Sequence, residues 1–372
     1  MNKKSVEELR ILHTPTDVGG HPSGLVAAER ALGANSILAV LQRSWLGYPV
    51  DIDLNLGQTN RWNRLVKRAL FGLKSMSSHD VFHFNFGQSF LPRLGSCGVD
   101  LPLLRAAGKT VIMTYQGCDA RQVSYCQQNF SLSCCGQQQG DGLCHPRDDA
   151  AKANNIRYVA KSAQRVFCLN PDLMHVVPDA EFVPYAAVDP EVVKPSRANP
   201  KKKLTILHAP TNRAVKGTRF VEEAAQSLED EFDLEWLFVE GIPHERAMDL
   251  YKQADLVIDQ LRVGWYGAFA VEMMAMGKPV MCYVRGEDLE FIPEEMQVDL
   301  PLIQVTPDTL KETLREHLGN VETLREIGRQ SRRFVEKWHN PRTIAAAMLR
   351  VYSNPKQTFW KSWEDVLQGA RQ

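Results

Sequence analysis

Short apolar runs alternate with amphipathic helical stretches along the whole of this 372-residue chain. In the first half the runs fall at Arg10–His13, Ser36–Leu41, Asp80–Phe84, Thr110–Thr114 and Arg165–Leu169. In the second they fall at Leu204–His208, Leu234–Val239, Asp255–Asp259, Pro279–Val284 and Leu302–Val305. Brief apolar strands separated by helical patterns predict an α/β fold with parallel sheets covered on both faces. Helices are expected at Ser23–Leu32 and Thr218–Leu228, each directly after the first strand of its half.

One hexapeptide echoes. Ile11-Leu12-His13-Thr14-Pro15-Thr16 returns as Ile206-Leu207-His208-Ala209-Pro210-Thr211. Both copies open a strand–loop–helix series, so the chain reads as two similar Rossmann-like domains facing a cleft. The expected division is residues 1–186, a linker at 187–203 with prolines and Lys201-Lys202-Lys203, and residues 204–352. A tail at 353–372 carries Trp360 and Trp363, side chains too apolar to hang in water, and is expected to cross back onto the first domain.

Composition narrows the options. Formal net charge is zero, so no global field gathers nucleic acid, which is not expected as a partner. No apolar run reaches the ~18 residues that span a bilayer, and Met1–Arg10 lacks the apolar core of a signal peptide, so a cytoplasmic location is expected.

In open parallel sheets ligands sit beyond the carboxyl ends of the strands, and three loops there carry suitable chemistry. Thr16–Gly24 holds adjacent Gly19 and Gly20, which allow a ligand close to the backbone before a helix N-terminus, with Ser23 as the expected cap. Pro210–Thr218 holds Arg213 and Lys216, a guanidinium fork and a point charge suited to phosphate, followed by Gly217 and a capping Thr218. Gly264-Trp265-Tyr266-Gly267 leads into a short helix from about Gly267 to Met276, ended by Gly277. Glu272 sits inside that helix between Val271 and Met273, where a carboxylate needs a partner such as a ribose diol.

With these segments the chain resembles the group-1 (family 4-like) glycosyltransferases of the GT-B fold, most of which retain the anomeric configuration. Arg213…Lys216-Gly217 is similar to the family's donor-diphosphate loop. Gly267…Glu272-Met273-Met274-Ala275-Met276-Gly277-Lys278-Pro279-Val280 is similar to its G…EAMAxGxPV segment. The resemblance covers about residues 204–285 and implies donor binding by Arg213, Lys216 and Glu272, with Gly264, Trp265, Tyr266 and Gly267 under the distal phosphate and sugar. It also implies catalysis by Arg213 and Lys216, which stabilise the departing nucleotide. The sequence departs from the family twice. A second family Glu is replaced by Gly264, and the first-domain His-Gly-x-Asp reads Gln116-Gly117-Cys118-Asp119. Asp119 keeps its place there, and His83 is the candidate imidazole.

Cys126, Cys134, Cys135 and Cys144 form a candidate structural Zn²⁺ set near Cys118 and His145, although their spacing lacks the C-x2-C of common zinc sites. Independent thiols or redox use fit the same residues. No cofactor is required for catalysis, because Arg213, Lys216 and helix N-termini supply positive charge. Residues 60–75 predict a basic amphipathic helix. Its apolar face either covers the sheet, the simpler expectation, or makes a peripheral contact with the inner face of an anionic membrane.

The expected activity is transfer of a sugar from a nucleotide-diphosphate donor to a glycan or lipid-linked acceptor hydroxyl in polysaccharide or glycolipid biosynthesis. A sugar-nucleotide epimerase and a catalytically silent scaffold are the alternatives.

Overall fold

A computed structural model of the chain describes residues 6–92, 97–135, 145–196 and 203–369. Its strands are β1 (Arg10–Thr14), β2 (Asn35–Val40), β3 (Ile52–Asp53), β4 (Val81–Asn85), β5 (Thr110–Tyr115), β6 (Arg165–Cys168), β7 (Ala180–Phe182), β8 (Leu204–His208), β9 (Leu234–Phe238), β10 (Leu256–Ile258), β11 (Val280–Cys282) and β12 (Ile303–Gln304). Between and after them run α1 (His21–Ala31), α2 (Arg61–Ser78), α3 (Asp100–Ala106), α4 (Val123–Asn129), α5 (Asp149–Ser162), α6 (Arg213–Lys216), α7 (Thr218–Leu228), α8 (His244–Tyr251), α9 (Ala268–Ala275), α10 (Glu294–Asp299), α11 (Leu310–Leu318), α12 (Val321–Trp338), α13 (Pro341–Ser353) and α14 (Phe359–Gly369).

All ten predicted strands are present, with ends shifted by a residue or two. The two that sequence reading missed, β3 and β7, are two and three residues long and lie at opposite edges of their sheet. Strands that short show no periodicity to read.

The strands form two sheets, ordered β3-β2-β1-β4-β5-β6-β7 and β12-β11-β10-β8-β9. Every described pairing is parallel, for example Leu12 beside Phe82 and Val257 beside Leu207. Parallel pairing needs a crossover between strands, and the helices supply it. The first sheet's core is built on Leu12, Phe82, Phe84, Val111 and Met113. The second is built on Ile206, Ile258, Met281, Val221 and Leu314.

The repeated hexapeptide occupies matching places, β1 and β8. Each copy's histidine reaches the helical segment that follows: His13 Nε2 meets Glu29 Oε2 on α1 at 2.9 Å, and His208 Nε2 meets Thr218 Oγ1 at 2.9 Å.

The chain divides into two compact units, but not at the expected boundaries. One comprises Met1–Gln122, Pro146–Ala187 and Asn340–Gln372; the other comprises Val123–His145 and Val188–His339. The crossing back begins at Asn340 rather than at residue 353. All of α13 belongs to the first unit, because Ile344, Met348 and Val351 are buried and Tyr352 OH bonds His83 Nδ1 at 2.7 Å. Trp363 is buried and Trp360 stacks on Phe182, as expected of the tail. The segment that starts at Val123 joins the second unit, because Val123, Cys126, Cys134 and Cys135 pack with Val215 and Val263. Part of the expected linker is fastened to the second unit too: Arg332 donates to the carbonyls of Pro190 and Val193.

Candidate functional site

The site grows from the carboxyl end of β8. Asn212 caps α6 by accepting from Val215 N at 3.0 Å, and Gly217 ends it at φ 77°. Only glycine suits this turn: its φ is left-handed, and a methyl group would lie 3.2 Å from Leu261 Cβ. Leu261 N donates to Lys216 O at 3.1 Å, which ties the loop to the end of β10. Gly217 caps α7 through its backbone, so the capping role expected of Thr218 is not used; Thr218 instead bonds His208.

Asp259, fully buried beyond β10, organises the next layer. Its Oδ1 pairs with Lys216 Nζ and its Oδ2 accepts from Gly267 N at 3.1 Å. One carboxylate therefore holds both the ammonium and the residue that opens α9. Lys216 Nζ lies 3.8 Å from where a methyl group on Gly267 would sit. The ammonium and the α9 N-terminus thus lie side by side, with the Asp259 carboxylate between them offsetting part of their positive charge. Arg213, with its side chain 49% exposed, is steadied by Glu222 and Glu240.

One turn into α9, Glu272 is buried, and its Oε1 meets His244 Nε2 at 2.6 Å. The hydrogen bond to Glu272 raises the His244 pKa against the opposing effect of burial. The carboxylate thus has the partner its burial demands, and among the described residues its Oε2 takes no hydrogen bond from the protein.

Trp265 and Tyr266 are buried. Tyr266 OH bonds His339 Nε2 at 2.8 Å, and Gln260 Nε2 donates to Trp265 O at 2.8 Å, so both residues brace the loop. At Gly264, φ is +94° and a methyl group would lie 2.6 Å from Arg285 Nη1. The place of the family's second carboxylate is thus closed to any side chain by a guanidinium, which itself pairs with Asp288 and stacks on Phe130.

Solved structures similar to the chain over nearly its whole length share this architecture. Sucrose-phosphate synthase from Thermosynechococcus elongatus matches with a TM-score of 0.57 at 15% identity, over 93% of this chain and 99% of that one. HepE of Anabaena, in complex with UDP-glucose, matches with a TM-score of 0.56 at 13% identity, over 92% and 100%. This chain has the GT-B glycosyltransferase fold. A putative UDP-N-acetylglucosamine 2-epimerase from Listeria monocytogenes is similar as well, with a TM-score of 0.54 at 14% identity, over 94% and 97%. Neither a protein-family model nor a curated protein sequence matches the chain.

The other predicted residues of this GT-B chain lie in the first unit, apart from the cysteines. Gly19 and Gly20 are consecutive left-handed residues, and Gly20 caps α1 by its backbone. Ser23 lies inside α1, where its hydroxyl donates to Gly20 O at 3.1 Å, so it is not the cap. His83 is buried with both ring nitrogens engaged, Nδ1 by Tyr352 OH and Nε2 by Thr114 Oγ1 at 2.6 Å. Neither nitrogen is left for a substrate, and burial lowers its pKa well below the ordinary value. Asp119 closes its own turn by accepting from Gln116 N and Gly117 N; burial lifts its pKa to about 6.

Cys126, Cys134 and Cys135 lie in an apolar cluster, and Cys144 lies outside the described residues. Among the described residues no group of three or more His, Cys, Asp or Glu side chains is placed to hold a metal ion.

Sequence reading missed Asp259 and His244. An acid ending the apolar run Leu256–Ile258 was a signal for the first. The second gave none, because its partner lies 28 residues away.

Proposed function

We propose that this chain transfers a sugar from a nucleotide-diphosphate donor to a hydroxyl acceptor. The carrying observation is the convergence, within one unit, of Lys216 Nζ, the α9 N-terminus at Gly267 and the buried Glu272. A diphosphate fits the first two, and a ribose diol fits the open oxygen of Glu272. The described complex of HepE with UDP-glucose supports a donor of this kind.

In the transfer the bond from the anomeric carbon to the diphosphate oxygen breaks and a bond to the acceptor oxygen forms. The electron pair of the broken bond stays on the departing diphosphate, where negative charge accumulates, and the acceptor proton passes to that diphosphate or to solvent. Lys216, held in place beforehand by Asp259, and the α9 dipole stabilise that charge without rearranging. Arg213, at the exposed rim, adds a second cation. His244 fixes the orientation of Glu272 through their hydrogen bond. These cations serve the role a metal ion would, so the reading invokes no cofactor. The acceptor proposed is a glycan or lipid-linked hydroxyl in polysaccharide or glycolipid assembly.

Likeness to the epimerase favours one second reading, in which the same groups hold a sugar nucleotide for isomerisation. A thermal-shift panel of nucleoside diphosphates and their sugars, on wild type and Lys216→Ala, tests donor binding. Mass spectrometry with the best binder separates the readings: a glycosylated acceptor supports transfer, and an isomerised sugar nucleotide supports epimerisation. If no nucleoside diphosphate raises the melting temperature, the reading is wrong.

A further inference from the structure

Helix α2 is mounted back to front. Its sequence is amphipathic, with Trp62, Leu65, Val66, Leu70 and Leu73 along one stripe at about 100° per residue. A helix of this kind ordinarily turns that stripe to the core. Here the stripe faces outward: Trp62 is 76% exposed, Leu70 61% and Leu73 63%. The helix packs through another face. Gly72 and Ser75 are its buried residues, and Phe71 meets the Phe90 ring edge-on at 5.6 Å. Arg68 donates to the carbonyls of Ser89 and Phe90 at 2.6 Å each. The small residue allows the close approach, since a methyl group on Gly72 would lie 3.1 Å from the Phe90 ring. This attachment fixes the outward aim of the stripe. The sequence expectation that the apolar face covers the sheet is therefore overturned.

We propose that α2 is a docking surface for an anionic lipid bilayer. Scattered exposed apolar residues are ordinary, but a continuous stripe on one helix marks an interaction site. The charge identifies the partner. The helix has no acidic residue, and Arg61, Arg64, Lys67 and Lys74 are exposed on the flanks and back of the stripe. That is the layout of a helix lying in the plane of a membrane interface, with its apolar face among the acyl chains and its cations at the headgroups. A second copy of the chain is a poor occupant, because stacking two such helices sets cations against cations with no counter-charge. Among the described residues no helix is long and apolar enough to cross a membrane.

The inference is independent of the sugar-transfer reading, and its test reads binding alone. The full chain is co-sedimented with phosphatidylcholine vesicles and with vesicles containing phosphatidylglycerol. Wild type is expected to partition at least about tenfold more strongly onto the anionic vesicles, since each cation near such a surface contributes about fivefold. High salt should erode that preference. Leu70→Ser with Leu73→Ser should lose binding to both vesicles. Lys67→Glu with Lys74→Glu should lose the anionic preference while keeping its melting temperature. All four side chains are exposed, so the variants fold. Failure of wild type to pellet with anionic vesicles overturns the proposal, as does equal pelleting of the serine variant. So does a concentration-dependent dimer that the serine changes abolish.

Discussion

In the proposed donor complex Lys216 makes a charge-assisted bond to phosphate, and losing an interaction of that kind costs about 1.5–3 kcal/mol. Lys216→Ala is therefore expected to weaken nucleoside diphosphate binding by about 10–100-fold in titration calorimetry. The His244–Glu272 pair makes a pH-dependent prediction. His244 has a raised pKa, so its stabilising contribution is full below its ordinary value of about 6.5 and is lost as pH rises through the raised one. The melting temperature of wild type relative to His244→Ala should accordingly be highest in mild acid and shrink toward pH 8.5; a flat difference would show that the pair does not titrate this way. Arg213, Lys216 and Glu272 stand out as candidates from sequence because cations in a loop and an acid among apolar neighbours are chemically conspicuous. What keeps them in place was not legible. Asp259 lies 43 residues from Lys216, and His244 lies 28 from Glu272, so only the folded chain brings each pair together.

Glycine chemistry sets the loops that carry these residues. At Gly264 both the left-handed φ and the nearby guanidinium exclude a side chain. Gly264→Ala should cost about 2–4 kcal/mol in urea unfolding, combining backbone strain with displacement of the buried Arg285–Asp288 pair. Tyr266→Phe is milder: it loses one bond to His339, worth about 1 kcal/mol. Strand positions were readable to within a residue or two, because runs such as Leu256–Ile258 are apolar throughout. Outward mounting of α2 was hidden, since amphipathicity reports that a helix has an apolar side and not where that side points. The bracing role of Trp265 and Tyr266 was hidden for a related reason: nothing local in the sequence shows that these aromatics beside a glycine loop are buried.

Each compact unit is discontinuous in sequence. The first is finished by Asn340–Gln372, where Phe359 and Trp363 are buried. A fully buried aromatic contributes about 1.5–3 kcal/mol, so ending the chain at Ser353 should remove at least ~3 kcal/mol from the first unit in urea unfolding. The two-fold repetition was legible in the hexapeptide echo, but neither exchange of segments was. Contacts such as Val123 with Val215, and Tyr352 with His83, link positions far apart in sequence and leave no local pattern. That interleaving carries a consequence for biosynthesis. As the polypeptide emerges from the ribosome, its earliest β-α repeats must wait, incomplete, until the closing helices have been translated. Completion of the first unit therefore waits for translation of Asn340–Gln372, and expressing residues 1–187 by themselves should yield insoluble material that co-expression with the remainder rescues.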